Sequence, residues 1–319
     1  MDRPDGMVAV SVERSEEPEP TDACSDRDTR PGAAPGPDQD RPLVLTDSER
    51  RIAEHLRYRD IVVNHDAACA WDEAVPQLRG IWEKIKDKYC YTERSVSVAQ
   101  PADGSWRGES GRKLDSAQNS EVDRGYERIR EVGERTILPG LLAVEAEDPT
   151  RHLAGFDHRF KGLDRLKEKV ADEVRSTPGI TPPQALAVVP DAVRCTYQYD
   201  EAAYTDNVRK DVERLEARGF TQLERRNTWT SDQYKGINSR WREPESGVIF
   251  EVQFHTRASL EAKELTHKAY ERIRGVTATE SENAELRDFQ RQVNAKIPIP
   301  PGVTEYLDYR PERRDGRRD

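Results

Sequence analysis

The chain has 319 residues, of which 34% are hydrophobic and 35% charged, so it has length for one or two domains while much of it lies outside any core. The net charge of -10 is uneven: residues 1–45 carry eleven acidic side chains against five arginines, and the remainder is nearly balanced. No apolar run is long enough to cross a bilayer, the first residues lack the basic and apolar regions of a signal peptide, and Cys24, Cys69, Cys90 and Cys195 show neither metal-ligand spacing nor a disulfide framework. These features predict a cytoplasmic protein with reduced thiols.

Residues 1–45 are rich in Pro, Asp, Glu and Gly and are expected to form a disordered acidic tail. Residues 46–120 read as a helical extension and linker. Ser48 is a candidate N-cap, and Ile52, Leu56, Trp71, Val75, Leu78, Ile81, Trp82 and Ile85 recur at helical spacing. The stretch 92–120, rich in Ser, Gly, Asp and Gln, predicts a loop around Trp106. A further helical block is expected over 120–147, with Val122, Tyr126, Ile129 and Val132 on one stripe.

From Arg159 to Val170 five basic residues fall within eleven positions, and Leu163, Leu166 and Val170 form an apolar stripe. This predicts a helix opening near Arg159. Its N-terminus and convergent cations suit a polyphosphate, although an ordinary solvated basic face fits the same pattern. Val193, Cys195, Tyr197 and Tyr199 alternate as one face of a strand that begins near Asp191. A helix over 201–218 stopped by Gly219, strands over 220–229 and 236–242, and a turn over 243–247 follow. The strand 247–256 places Val248, Phe250, Val252 and Phe254 on one face and Ile249, Glu251, Gln253 and His255 on the other. A rigid carboxylate opposite an apolar face can sit at the floor of a cleft, so Glu251 is the first catalytic candidate; a solvated polar face is the alternative. A helix from Arg257 to about Arg274 completes a region whose order predicts a mixed sheet covered by helices, and residues 276–319 read as a C-terminal helix and basic tail.

In order, Arg159-x-Lys161, Lys169, Asp191-Ala192-Val193-Arg194, Tyr234-Lys235-Gly236-Ile237-Asn238, Phe250-Glu251-Val252-Gln253-Phe254-His255-Thr256, His267 and Tyr270 resemble the synthetase domain of RelA/SpoT-type alarmone synthetases, over roughly residues 125–275. The resemblance implies an α+β fold with a nucleotidyltransferase-like mixed β-sheet flanked by helices, a synthetase domain over 121–275, and an N-terminal helical extension. It also implies ATP-dependent transfer of pyrophosphate to the ribose 3′-hydroxyl of GDP or GTP, the (p)ppGpp chemistry of the stringent response.

By that resemblance Asp191 and Glu251 would be catalytic and hold Mg²⁺, with Glu251 also placed to accept the hydroxyl proton. Arg159 and Arg194 would sandwich the adenine of ATP, while Lys161 and Lys169 would contact its phosphates. Tyr234, Lys235 and Asn238 would form the acceptor site, with Tyr234 stacking on the base. The residue types fit: a flat guanidinium stacks, an ammonium is a compact charge for phosphate, and pyrophosphoryl transfer needs cations at developing charge.

Two departures stand out. Asp191 lies three residues before Arg194, where the family pattern has five, and Asn238 stands where the family commonly has a histidine. Arg225, Arg226, Arg240 or Arg242 are candidates to replace that charge. The donor half therefore matches more closely than the acceptor half, which keeps other members' chemistry open: toxins that modify the tRNA 3′ end, synthetases of adenosine alarmones, or a non-catalytic nucleotide-binding regulator. ATP with an acceptor nucleotide or tRNA are the expected partners, a homo-oligomer stays open, and no membrane association is expected. His65-Asp66 has no companion set for a hydrolase half and reads as incidental. His267 is either functional or a structural tie between helix and sheet. Trp229 and Trp241 read as core or cleft wall, and the five arginines from Arg310 onward read as a solvated tail.

Overall fold

The computed structural model describes residues 65–91, 98–275 and 278–311. The expected acidic tail, the N-cap at Ser48 with Ile52 and Leu56, and the arginines beyond residue 311 lie outside the described residues, as do the side chains of His65 and Asp66.

Among the described residues the elements run α1 (His65–Lys88), β1 (Trp106–Arg107), β2 (Lys113–Leu114), α2 (Ser116–Val132), α3 (Leu138–Glu145), β3 (Arg151–Ala154), α4 (Leu163–Ser176), α5 (Pro182–Ala187), β4 (Arg194–Tyr199), α6 (Tyr204–Ala217), β5 (Thr221–Asn227), β6 (Ile237–Arg242), β7 (Ile249–Thr256), α7 (Arg257–Arg274) and α8 (Glu280–Asn294). Five strands form a mixed sheet in the order β3-β4-β7-β6-β5, with β4 and β7 parallel and the other neighbours antiparallel. The expected mixed sheet covered by helices is therefore present. The helix from Arg257 to Arg274 has the expected bounds, and Gly219, at φ 87°, ends α6 where a left-handed residue is needed.

Three local expectations are corrected. The stretch 92–120 contains a small antiparallel pair, β1 with β2, which buries Trp106 and Leu114, and α2 begins at Ser116 because Asp115 and Gln118 form a capping box. β3 was unforeseen: only Leu153 marks it as apolar, and its other buried residue is Arg151. The helix expected from Arg159 starts at Leu163. Arg159 instead closes the 3-10 turn Phe156–His158, and Phe160 bridges Val193: Lys161 N donates to Ala192 O at 3.0 Å and Arg194 N donates to Arg159 O at 2.8 Å.

One sheet face is apolar. Tyr197, Tyr199, Phe250, Val252, Phe254 and Trp241 are buried on it, and α3 and α6 cover it. Each such side chain contributes about 1.5–3 kcal/mol by leaving water, so this face is the rigid backing of the sheet. Its polar atoms are satisfied: Tyr197 Oη donates to Leu141 O at 2.6 Å, Tyr204 Oη to Phe254 O at 2.7 Å, and Trp229 Nε1 to Tyr204 Oη at 3.0 Å. Trp229 and Trp241 are accordingly core residues.

Beside this face, fully buried Asp211 lies 2.8 Å from Arg151 Nε, 2.7 Å from Arg214 and 2.8 Å from Tyr199 Oη, joining β3, β4 and α6. Removing one partner of a buried pair strands the other charge. Asp211→Ala is expected to cost about 3–5 kcal/mol in urea unfolding. A loss under about 1 kcal/mol would show that the cluster is not a stabilising joint.

On the sheet's other side α1 packs against α7 and α8. Trp71 Nε1 donates to Glu261 Oε2 at 2.7 Å, and Trp82 stacks on Phe289 with ring centroids 5.4 Å apart. The core is one contiguous cluster from Trp71 to Tyr306 among the described residues, so α1 belongs to the same body as the sheet.

Candidate active site

Alternation along four adjacent strands sets a grid of polar side chains on the face opposite the aromatic core. The first row reads Arg194 on β4, Glu251 on β7, Arg240 on β6 and Glu224 on β5, with the signs of charge alternating. The next reads Thr196, Gln253, Asn238 and Arg226. In the third, Gln198 pairs with His255, over which the backbone of Gly236 passes.

The N-terminal end of β4 supplies the rest. Asp191 sits in the 3-10 turn Pro190–Ala192 that leads into β4, and Glu251 N donates to Val193 O at 2.9 Å, so the two carboxylates flank one strand junction. Arg159 and Lys161 flank Phe160, which bridges Val193, and Tyr126 Oη anchors this segment by donating to Lys161 O at 2.9 Å. Lys161 Nζ lies 2.8 Å from Asp191 Oδ2, and Lys169 Nζ lies 2.8 Å from both Asp191 oxygens. Of the five basic residues noted in sequence, these two reach the carboxylate, whereas buried Lys167 pairs with Asp123 at 2.6 Å and is structural.

The electrostatics follow from this packing. Burial acts to raise the Asp191 carboxyl, but its two lysine partners hold it below the ordinary carboxylate value. Burial lowers Lys161 despite Asp191. Glu251 goes the other way: burial, together with the charge of Asp191, raises it against the pull of Arg194, Gln253 and Lys263. Two carboxylates a few residues apart in space are thus pushed in opposite directions, the pattern expected where one is held charged and the other handles a proton.

Arg159 lies over the rings of Phe156 and Phe160, 4.7 and 5.3 Å to the centroids, and pairs with Glu134 at 3.0 Å. Arg194 makes no hydrogen bond or ion pair with another described side chain, yet its charge acts on Glu251, Lys263, His255 and Tyr234, so it is the central cation of the cleft. Tyr234 Oη lies 2.9 Å from Asn238 Oδ1 and 2.9 Å from His255 Nε2. Lys235 instead turns back into its own loop and donates to Trp229 O at 2.9 Å and Ser231 O at 3.0 Å.

Among the cations considered as replacements at Asn238, Arg225 is packed on Tyr306 at 4.2 Å, and Arg240 pairs with Glu224 at 3.2 Å. Arg226 is exposed in the row of Asn238 and has no ion pair with another described residue. His267 is exposed on α7 and faces Glu271 at 3.6 Å, so it does not tie the helix to the sheet, and Tyr270 is exposed as well.

Sequence reading missed Lys263. From α7 its Nζ donates to Gln253 Oε1 at 2.6 Å, and Gln253 Nε2 donates to Glu251 Oε1. Burial, followed by the charge of Arg194, lowers Lys263 to about 8. The signal was available: Ser259, Ala262, Thr266 and Ala269 form a buried stripe of small residues on α7, and Lys263 lies between them. A long charged side chain beside such a stripe points into space that small residues leave open.

No group of three or more His, Cys, Asp or Glu among the described residues is arranged to hold a metal ion by itself. Asp191 and Glu251 are nonetheless hard oxygen donors at one junction, and Mg²⁺ is ordinarily held by one or two carboxylates plus substrate phosphates. The residues present fit that ion.

No family model matches the sequence, and no curated protein matches it. Solved structures give weak likenesses. The small alarmone synthetase 1 from Bacillus subtilis bound to its product pppGpp is 20% identical, with 58% of this chain and 96% of that chain covered at a TM-score of 0.41. A GTP pyrophosphokinase family protein from Streptococcus pneumoniae is 19% identical, with 58% and 91% covered at 0.39. The small alarmone synthetase 2 from Bacillus subtilis is 11% identical, with 59% and 98% covered at 0.36. Likeness at this level carries no argument about activity, which rests on the site itself.

Proposed function

We propose that the chain is an ATP-dependent pyrophosphokinase that moves the β,γ-pyrophosphoryl group of ATP to the 3′-hydroxyl of a guanine nucleotide. The observation that carries this reading is the convergence, at the β4/β7 junction, of Glu251 and Arg194 in one register with Asp191, Lys161 and Lys169. A divalent cation bound by Asp191, Glu251 and the ATP phosphates would supply charge neutralisation.

The chain's own residues do the rest. Arg159, backed by two phenylalanine rings, presents a flat guanidinium to the adenine, with Arg194 opposite. Lys161 and Lys169 exchange Asp191 for phosphate oxygens. Glu251 takes the proton of the 3′-hydroxyl as that oxygen bonds to the β-phosphorus, the bond from the α,β-bridging oxygen to the β-phosphorus breaks, and AMP leaves with its electron pair. A carboxylate raised by burial is a stronger base, which suits this task. Tyr234, Asn238 and Lys235 border the acceptor side, where Lys235 shapes the loop.

The test is release of AMP from labelled ATP with Mg²⁺ and GDP, GTP, ATP or tRNA as acceptor. Label appearing on GDP or GTP is the expected result. Label on tRNA or ATP would replace the acceptor named here, and ATP binding without AMP release under any acceptor would assign a regulator in place of an enzyme.

A further inference from the structure

The loop that carries Tyr234 is tied to the sheet by a chain of hydrogen bonds through a buried imidazole. Tyr234 Oη lies 2.9 Å from His255 Nε2; His255 Nδ1 lies 2.8 Å from Ser259 Oγ; and Ser259 Oγ accepts the N–H of Thr256 at 3.0 Å. His255 is fully buried, and burial, reinforced by the charges of Lys263 and Arg194, pushes its imidazole well below the ordinary value. It is therefore neutral, with one ring nitrogen donating and the other accepting. Donation from Nε2–H to Tyr234 Oη leaves the tyrosine proton for Asn238 Oδ1 at 2.9 Å, and the Ser259 hydroxyl, which is within reach of both Nδ1 at 2.8 Å and Thr256 O at 3.2 Å, then donates to the nearer Nδ1.

The packing is as specific as the hydrogen bonding. The rings of Tyr234 and His255 meet edge to face, 5.5 Å apart at 85°. At Gly236 a Cβ would stand 2.7 Å from His255 Cε1, so the loop crosses the imidazole only because that residue has no side chain. Tyr234 also feels the charges of Glu251 and Arg194, which places it at the edge of the reaction centre.

We infer that His255 is a positioning residue for the acceptor: through the Tyr234 hydroxyl it holds the phenol ring as a fixed platform on which the acceptor base stacks. The inference rests on the pyrophosphokinase reading for what binds there. Its geometry needs no turnover. A tyrosine held only by its backbone would lose rotamer freedom on stacking, whereas one already anchored has little left to lose.

The experiment measures binding of GDP and of a non-hydrolysable ATP analogue by calorimetry, with kinetics added where turnover is seen. Tyr234→Phe keeps the ring and removes only the hydroxyl. It is expected to weaken GDP binding by about 10-fold, the worth of one hydrogen bond, with the ATP analogue within about twofold. His255→Leu should weaken GDP binding similarly, and the double variant no more than His255→Leu alone, because both break one chain. His255→Gln, whose amide can reach Tyr234, should restore part of the loss.

Unchanged GDP binding in Tyr234→Phe, equal weakening of both ligands, additive losses, or no GDP binding to the intact chain would each overturn the inference. If both nucleotides bind as expected and no AMP is released, the platform stands and the pyrophosphokinase reading falls. The Tyr234→Phe arm keeps the test decisive should His255→Leu not fold.

Discussion

Glu251→Gln is expected to lower pyrophosphoryl transfer by about 10³-fold, within the 10²–10⁴ range of a general base, while leaving binding of a non-hydrolysable ATP analogue within a few-fold. The substitution keeps volume and shape and removes the charge and the basic oxygen. Phe250 and Val252 on either side of it are fully buried, so the backbone that carries the side chain stays in place. Arg159, Lys161 and Lys169, to which the ATP contacts are assigned, sit on other elements. Burial raises the carboxyl of Glu251, which means that its charge is costly to the fold; the amide should leave thermal stability equal or higher. A dead and stable variant that still binds the analogue places Glu251 in the chemical step. A variant that retains a tenth or more of the rate would remove it from that step.

Lys263→Met is the second large effect, and it has two readouts. In turnover, kcat should fall by about 10–100-fold with little change in the KM for ATP, because Gln253 loses the donor on its carbonyl and no longer presents its amide firmly to Glu251. Gln253→Leu should give a similar loss, and the two together should cost little more than either. In stability, the sign follows from the shift. Lys263 titrates near 8 in the folded chain and near its ordinary 10.5 when unfolded. Below about 8 the ammonium is charged in both states, and its burial cost is carried in full by the fold. Between about 8 and 10.5 the unfolded chain binds the proton and the folded one does not, so the stability of the native sequence rises with pH. Raising the pH from 7 to 10 should therefore favour the native sequence over Lys263→Met by up to about 2 kcal/mol in denaturant unfolding. Parallel stability curves over that interval would mean that Lys263 is solvated like any surface lysine, and the relay to Glu251 would lose its basis.

What could be read in the sequence and what could not divide along physical lines. Elements marked by local periodicity were legible. The alternation Val193, Cys195, Tyr197, Tyr199 and that of Phe250, Val252, Phe254 mark β4 and β7, and the glycine after α6 marks its end. Elements held by distant partners were not. β3 exists because it pairs with β4 and because Arg151 finds Asp211 on α6; neither fact leaves a local signature. Arg159 to Lys161 reads as the start of a helix from its neighbours, but the helix begins only at Leu163 because Phe160 is drawn into a bridge with Val193.

The site divides in the same way. Glu251, Gln253 and His255 were visible as one polar strand face. The lysine that reaches that face from α7, the hydroxyl that closes on His255, and the pairing of Asp191 with two lysines are products of the fold. Side-chain type and order name the participants; only tertiary contacts say which atoms of each are already engaged.

The engagement of Asp191 bears on how the proposed site would admit a polyphosphate. Both carboxylate oxygens are taken by the ammonium groups of Lys161 and Lys169. An empty polyphosphate site would otherwise hold bare cations side by side, repelling one another and collecting any anion that drifted in. Here the carboxylate of Asp191 is the counter-ion of both lysines, in the place where the proposed function puts a phosphate. On the proposed function, a triphosphate entering the cleft would trade places with it: the lysines would change partners, and the released carboxylate would become free to coordinate as the nucleotide arrives. Selectivity against small anions would then come from an exchange reaction, because a ligand would have to bring enough charge to win both lysines at once.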